Sequence, residues 1–131
     1  MFIDASALTA ILTGEADAAE LLARMETHPR RITSPLAVWE TAIAVARGLG
    51  LTIEESRVAV RDFLILAEIK VEAVPPEAAG LALEAFDRYG KGRHPAALNF
   101  GDCFAYACAQ MRQVPMLYKG DDFPRTDIAP A

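Results

Sequence analysis

The chain starts with Met1-Phe2-Ile3-Asp4-Ala5-Ser6-Ala7, a stretch in which an apolar pair runs directly into an acid. Phe2 and Ile3 predict a short buried strand that stops at Asp4, and helical spacing of apolar residues follows at once over 6–12. Gly14 is a stop signal for that helix. Short strands that alternate with longer helices indicate an α/β domain with a parallel sheet, so the fold class depends on whether this pattern recurs.

The pattern recurs over the rest of the chain, without an internal repeat, a low-complexity tract or a long linker. Further strands are predicted at Arg30–Thr33, Ile69–Val74 and Met116–Tyr118, with a last short strand at Ile128–Ala129. Helices are predicted at Ala16–Glu26, Pro35–Arg47, Ile53–Glu68, Glu77–Tyr89 and Asn99–Gln113. We therefore expect an α/β fold with a parallel sheet, in which ligands collect at the carboxyl ends of the strands.

The composition is that of a single domain covering residues 1–131. These 131 residues are 53% hydrophobic and 24% charged, which provides enough apolar material for one core. No apolar run approaches the roughly 18 residues that cross a bilayer, and no basic start precedes an apolar segment. We expect a cytoplasmic protein without a membrane segment, in which Cys103 and Cys108 are buried free thiols.

The charge balance is acidic, with 13 basic and 18 acidic residues and a net charge of −5. Such a balance argues against a nucleic-acid-binding protein, because these proteins usually carry a basic face. The rule fails where several of the acids bind cations, since a bound metal reverses the local sign of the charge. The functional interpretation therefore depends on where the acids lie.

Three acids have apolar neighbours, which are unusual for surface carboxylates. Asp4 follows Phe2 and Ile3, Glu40 lies within the apolar stretch 36–43, and Asp102 opens the apolar stretch 102–109. Because an isolated buried carboxylate is costly, such residues are expected to be paired or to bind metal. Asp4 could instead merely end a strand, and Asp102 could cap its helix. Glu40 lies beyond the first turn of its helix, so capping explains it less well.

A fourth acidic position follows the strand Met116–Tyr118, at Asp121 and Asp122. Four acidic positions from separate parts of the chain, two of them at the carboxyl edge of the sheet, suggest one shared cluster. Hard carboxylate oxygens without histidine or cysteine select Mg²⁺ or Mn²⁺ over zinc.

Carboxylate clusters that hold Mg²⁺ mainly serve phosphoryl chemistry, and several α/β classes of protein carry one. A haloacid-dehalogenase-type phosphatase needs a second Asp two residues after the first, where this chain has Ser6. A response-regulator receiver needs an acidic pair near the first strand and a Lys-Pro after the last, whereas Lys119 precedes Gly120 here. A nucleotide-binding P-loop is absent as well. A metal-dependent nuclease fits the pattern.

Four pieces of the sequence, taken in order, resemble the PIN-domain ribonucleases, specifically the VapC-type toxins of bacterial toxin–antitoxin pairs. They are Phe2–Ala7, Glu40 in the helix after Thr33-Ser34-Pro35, Asn99–Ala107 and Leu117–Phe123. Each piece alone is weak, but together they cover nearly the whole chain in the right order. The resemblance implies a three-layer α/β/α domain with a central, mainly parallel sheet, and hydrolysis of RNA by a metal-activated water.

The resemblance also implies the catalytic and metal-binding residues. The family's acids fall on Asp4, Glu40, Asp102 and the pair Asp121 and Asp122, with Mg²⁺ or Mn²⁺ as the cofactor. The two acids of the last pair are adjacent here, whereas the commoner form of the motif separates them by more residues. We prefer Asp121 as the metal-facing member because it lies nearer the end of the strand.

The expected substrate-binding residues are Ser6, Lys91 and Arg93. Ser6 falls on the family's small hydroxyl residue, which is expected to contact a water or a phosphate at the metal site. The loop 90–95 is basic and lies shortly before Asp102. Because phosphate contacts supply much of the affinity for a nucleic acid, we predict that Lys91 and Arg93, together with Lys119, guide the RNA backbone towards the acidic pocket.

The partners implied by the resemblance are an RNA substrate, a cognate antitoxin whose C-terminal segment covers the acidic site, and a second copy of the chain in a homodimer. Apolar helix faces near Leu8, Ile11 and Leu12 are candidates to receive an antitoxin helix or to form ordinary core, which periodicity alone does not separate. The alternative is a catalytically silent PIN-like module that binds RNA or a protein. Intact acids at all four positions argue against that alternative.

Overall fold

Four short strands form the central sheet of the structure, a computed structural model that describes every residue from Met1 to Ala131. The strands are β1 (Phe2–Ile3), β2 (Arg31–Thr33), β3 (Ile69–Val71) and β4 (Met116–Leu117). Their order in the sheet is β3-β2-β1-β4, and every neighbouring pair is parallel. The predicted α/β class with a parallel sheet is confirmed.

Six helices alternate with these strands, and most of their ends carry the predicted signals. They are α1 (Ala5–Thr13), α2 (Ala18–Glu26), α3 (Pro35–Leu49), α4 (Ile53–Leu66), α5 (Ala78–Tyr89) and α6 (Phe100–Arg112). Gly14 ends α1 in the left-handed conformation at φ 67°, and Ser34 caps α3. Thr52 and Glu55 form the predicted capping box at the start of α4.

Most predicted boundaries differ from the structure by one or two residues, and three of the differences bear on the fold. The helix α3 continues to Leu49 and ends at Gly50, which has φ 65°, rather than at Arg47. Gly48 instead allows a close approach to α1, because a β-carbon there would lie 3.3 Å from Thr13 Cγ2. The strand β3 ends at Val71 rather than Val74. The predicted strand at Ile128–Ala129 is only an isolated bridge, in which the Met116 N–H donates to the Ala129 carbonyl at 2.9 Å.

The two residues of β1 point into two separate cores, because successive side chains of a strand lie on opposite faces. Phe2 belongs to a cluster with the buried faces of α5 and α6. This cluster contains the buried free thiols of Cys103 and Cys108, as predicted. Ile3 belongs to a cluster with α1, α2 and α4. Helices on both sides of the sheet give the three-layer α/β/α arrangement.

No single helix is long and apolar enough to cross a membrane. The pair α3 and α4 passes a test of length and composition only when the two are taken together, across a bend of 119°.

The strand order fixes where a site can form. From β1 the chain proceeds to β2 and β3 on one side of the sheet, and β4 returns to the other side of β1. The order of connection therefore reverses between β1 and β4, and the crevice beyond their carboxyl ends is the usual ligand position in such sheets. Asp4 follows β1 directly at this point.

Candidate active site

Asp4 ends β1 and is also the N-cap of α1. Its side chain is buried, and its Oδ2 accepts hydrogen bonds from the Ser6 backbone N–H at 2.9 Å and from Ser6 Oγ at 2.6 Å. Ser6 Oγ in turn accepts the backbone N–H of Lys119 at 3.0 Å, which ties the end of β4 to α1. Burial raises the pKa of Asp4 above its ordinary value, although both hydrogen bonds from Ser6 act in the opposite direction.

Glu40 reaches the same region from the middle of α3. The carboxylate is half-buried, has no hydrogen-bond or cationic partner, and packs against the Cα of Gly101 in the first turn of α6. A β-carbon at position 101 would lie less than 3.0 Å from both carboxylate oxygens. Burial, and then the negative charges of Asp4 and Asp102, raise the pKa of Glu40 to about 7.

Asp102 lies in the first turn of α6, where it forms a capping box with Asn99. Its Oδ2 accepts the Asn99 N–H at 2.9 Å, and Asn99 Oδ1 accepts the Asp102 N–H at 3.0 Å. Burial is the main cause that raises the pKa of Asp102 to about 6, and the charges of Asp4 and Asp122 add to it while the Asn99 hydrogen bond lowers it. Asp102 therefore caps α6 and also places a negative charge near Glu40.

The three carboxylates line one open depression, which we call the acidic depression. Its volume is about 290 Å³, and its lining includes Asp4, Ser6, Thr9, Glu40, Ala44 and Asp102. No lysine or arginine is among the charges that act on the three acids. Because burial raises the pKa of all three acids, neighbouring negative charges raise it further for Glu40 and Asp102, and nothing positive compensates them, the depression favours a cation.

The last acidic pair, Asp121 and Asp122, does not line this depression, and both of its members are exposed. Asp122 is the member whose charge acts on Asp102. The structure therefore associates Asp122 with the cluster more directly than Asp121, the residue preferred from the sequence. Asp122 immediately precedes a short 3₁₀ helix at Phe123–Arg125, whose Phe123 is anchored in the core.

The donor set suits a divalent ion such as Mg²⁺, with one qualification about geometry. No three His, Cys, Asp or Glu side chains are close enough to hold one ion between them directly. Mg²⁺ is commonly bound through one or two carboxylates, with waters and substrate phosphates completing its octahedral shell, so a preformed cage of three carboxylates is not required. The oxygen-only donors, the missing counter-charge and the open depression all fit such an ion.

The three cations predicted to guide the RNA do not line the acidic depression, and two of them are engaged in ion pairs. The ammonium of Lys119 is paired with Glu15 and, at 3.0 Å, with Asp17, so its charge is already neutralised within the fold. Arg93 pairs with Asp87 at 2.9 Å and lies over the ring of Phe86. Lys91 is exposed and has no ionic partner. None of these three side chains forms a hydrogen bond with an acid of the acidic depression.

Sequence reasoning missed Gly101. Its role depends on the contact with Glu40, a residue on another helix, so no local pattern reveals it. A glycine inside the first turn of an apolar helix, where alanine would favour the helix, is the one sequence signal that points to a close approach.

The comparisons with known proteins identify the class. The model of the PIN domain matches residues 1–129. The match covers the sheet, all six helices and every acid of the acidic depression. The chain therefore belongs to the PIN-domain family.

Curated relatives narrow this assignment to one group of ribonucleases. The chain is 43% identical to a Ribonuclease VapC of Mycolicibacterium smegmatis over 98% of each chain. It is 42% identical to Ribonuclease VapC42 of Mycobacterium tuberculosis over 100% of this chain and 98% of the relative. The protein is thus a hydrolase of the VapC ribonuclease type.

A solved structure supports the fold. The crystal structure of Mycobacterium tuberculosis VapC20, described as a Sarcin-Ricin loop cleaving toxin, matches with a TM-score of 0.78. The match covers 99% of this chain and 97% of that chain at 21% sequence identity. At that identity the likeness concerns the three-layer architecture alone.

Proposed function

We propose that this protein is a Mg²⁺-dependent endoribonuclease toxin that hydrolyses RNA phosphodiester bonds, with residues 1–131 acting as a single PIN domain. The observation that carries the proposal is Glu40. A half-buried carboxylate without a hydrogen bond or a counter-ion, whose pKa is raised to about 7 by burial and by two other acids, is explained by a cation that joins the cluster during function.

In this proposal Asp4, Glu40 and Asp102 hold the ion directly or through water, with Asp122 or Asp121 completing or orienting the site. When bound, Mg²⁺ or Mn²⁺ would activate a water and stabilise the charge that develops on the phosphate. Ser6 fixes the rotamer of Asp4 through its two hydrogen bonds, and its oxygen also accepts the Lys119 N–H, so its main part is to position Asp4. Gly101 leaves room for the carboxylate of Glu40.

The loop 90–95 is proposed to contact the phosphate backbone of the RNA. Lys91 has a free, exposed ammonium. The guanidinium of Arg93 is paired with Asp87, so binding an RNA phosphate would weaken this exposed ion pair. The loop leads into Asn99, the cap of the helix that carries Asp102. Lys119 is a weaker candidate, because Glu15 and Asp17 already neutralise it.

The partners proposed are a cognate antitoxin and a second copy of the chain, acting in the cytoplasm. Leu8 is fully buried and belongs to the core, whereas Ile11 and Leu12 are partly buried on the same core and keep some exposed apolar surface for an antitoxin helix. The acidic depression itself is open and would attract an arginine or lysine of an antitoxin.

The variant Asp4→Asn tests the proposed activity. Asparagine keeps the volume and remains a good N-cap for α1, so the free energy of unfolding should hold or rise as repulsion among the acids falls. Mg²⁺-dependent cleavage of single-stranded RNA should be abolished. Cleavage at the wild-type rate by folded Asp4→Asn protein would contradict the assignment, and a wild type that binds RNA without cutting it would favour the silent module.

A further inference from the structure

The helix α3 carries a cation that no part of the fold uses. Glu40 and Ala44 line the acidic depression, and Arg47 follows them at the spacing that keeps residues on one face of a helix. Of the 13 lysines and arginines, Arg47 and Lys91 are the two whose side chains make no ion pair or hydrogen bond. The side chain of Arg47 is exposed.

Two of the helices that wall the depression, α1 and α3, stay packed together beyond it in the direction of Arg47. On the opposite wall Thr9 of α1 lines the depression, and one turn later Thr13 meets Gly48 of α3. The two helices therefore stay in contact along the stretch between Glu40 and Arg47. At the rise of an α-helix, seven residues place Arg47 about 10 Å from Glu40 along the axis, a span that a strand of one or two nucleotides covers.

The same helix exposes an unusual aromatic side chain one residue before Glu40. Trp39 is 66% exposed although it is the largest apolar side chain in the protein and the only tryptophan. It immediately precedes Glu40, whose carboxylate lies in the acidic depression. No ring of another aromatic residue stacks on it. An exposed indole beside a cleavage site offers a surface on which a nucleobase stacks.

We propose that α3 is the substrate track of this ribonuclease, with Arg47 binding a phosphate of single-stranded RNA and Trp39 stacking a base beside the scissile bond. The inference rests on the proposed ribonuclease site and adds two substrate-positioning residues to it. It also addresses the acidic charge balance. With eleven of the cations engaged within the fold, affinity for a polyanion needs the free arginine near the site and a contribution that does not depend on charge.

The phosphate contact is tested with Arg47→Gln. Affinity for a single-stranded RNA is measured against salt concentration in the Asp4→Asn background, which prevents turnover. Loss of one phosphate contact should reduce the slope of log affinity against log salt by roughly 0.7. The matched control is Arg61→Gln on α4, which removes the same charge from an exposed position outside the depression. An Arg47→Gln slope equal to that of the control would overturn the phosphate contact.

The base contact is tested through the fluorescence of the single tryptophan. A single-stranded RNA should quench Trp39 emission, whereas an abasic oligonucleotide of equal length should leave it nearly unchanged. Trp39→Leu keeps an apolar side chain but should raise KM roughly 5- to 10-fold, with little change in kcat, and Trp39→Phe should restore most of the affinity. Equal quenching by the abasic strand, or unchanged KM in Trp39→Leu, would overturn the stacking.

The two proposals fail separately. If wild-type protein cleaves RNA but both variants behave like their controls, the track is wrong and the ribonuclease site stands. If wild-type protein does not cleave RNA, the proposed function is wrong, and the salt slope and the quenching still decide whether RNA follows α3.

Discussion

At the scale of single residues, the contact between Glu40 and Gly101 joins two helices that the chain places far apart. The carboxylate occupies the space that any other residue at position 101 would fill with its β-carbon. The same contact brings Glu40 to the first turn of α6, where the positive end of the helix dipole favours an anion. Gly101 therefore determines where the carboxylate of Glu40 lies.

The variant Gly101→Ala should displace Glu40. Cleavage should fall by roughly 100-fold, because a misplacement of about 1 Å in a catalytic group has effects of that size. Gly80→Ala on α5 is the matched control, since its added methyl group meets nothing within 4 Å. Both variants should gain a little stability from helix propensity, so urea titration separates misplacement from unfolding. Equal activity of the two variants would contradict the role of Gly101.

The raised carboxyl pKa values predict how stability depends on pH. Glu40 titrates at about 7 in the folded protein and at an ordinary value of 4.5 when unfolded, so the folded state holds the proton more tightly. The free energy of unfolding should therefore fall as the pH rises through this interval. Glu40→Gln removes that loss and should be more stable than wild type at pH 8 by on the order of 1–2 kcal/mol.

Urea denaturation at pH 5 and pH 8 without divalent ions measures this effect. The advantage of Glu40→Gln over wild type should be larger at pH 8, and addition of Mg²⁺ should reduce it by stabilising only the wild type. An advantage that does not grow with pH would show that Glu40 titrates normally.

The three acids of the depression could be predicted from the sequence because their apolar neighbours make them conspicuous. Asp4 follows an apolar pair, Glu40 interrupts an apolar run and Asp102 opens one. Their convergence depends on the strand order and on the packing of α3 against α6, which no local pattern contains. The choice between Asp121 and Asp122 depends on the path of a turn, which local propensity does not predict either.

At the scale of elements, helix starts could be predicted well and helix ends less well. Ser34 and Thr52 carry side chains that satisfy the first N–H groups of α3 and α4, so the chemistry of the start is local. The predicted end of α3 is wrong because Gly48 allows a close contact with Thr13 and does not form a turn. A glycine is a stop signal only where the backbone requires a positive φ, as at Gly50.

Two capping boxes in the chain allow a matched experiment on the site. Asn99 and Asp102 form one at α6, and Thr52 and Glu55 form the other at α4. Asn99→Ala and Thr52→Ala should each lower the free energy of unfolding by about 1 kcal/mol. Only Asn99→Ala should also reduce RNA cleavage, because the loss of the hydrogen bond from the Asp102 N–H to Asn99 Oδ1 loosens the first turn of α6, which carries Asp102. Equal effects of both variants on cleavage would mean that Asp102 needs no fixed orientation.

At the scale of the whole molecule, an apolar groove between α5 and α6 remains open. It has a volume of about 400 Å³, and Leu83, Phe86 and Phe100 on its walls are exposed. A homodimer would cover such a surface, since contiguous exposed apolar patches usually mark interaction sites. Leu66, at 83% exposure on α4, provides a second apolar position that belongs to another face.

The expected dimer is tested with Leu83→Glu, which places a charge in the groove at a residue 69% exposed in the single chain. Sedimentation equilibrium should show a dimer for wild type and for Leu66→Glu, and a monomer for Leu83→Glu, because an unpaired charge is costly at a buried apolar interface. A monomeric wild type, or a dimer lost only in Leu66→Glu, would contradict this assignment of the interface.

The most direct test of the central claim is the rate of single-stranded RNA cleavage as a function of free Mg²⁺. The acidic depression is expected to bind the ion that makes the protein a ribonuclease. Wild-type protein stripped with EDTA should be inactive, and its rate should rise and saturate as Mg²⁺ is restored. Glu40→Gln should require a higher Mg²⁺ concentration or remain inactive, since it removes one negative ligand from the cluster. Cleavage that persists in EDTA, or an unchanged Mg²⁺ dependence in Glu40→Gln, would contradict the account.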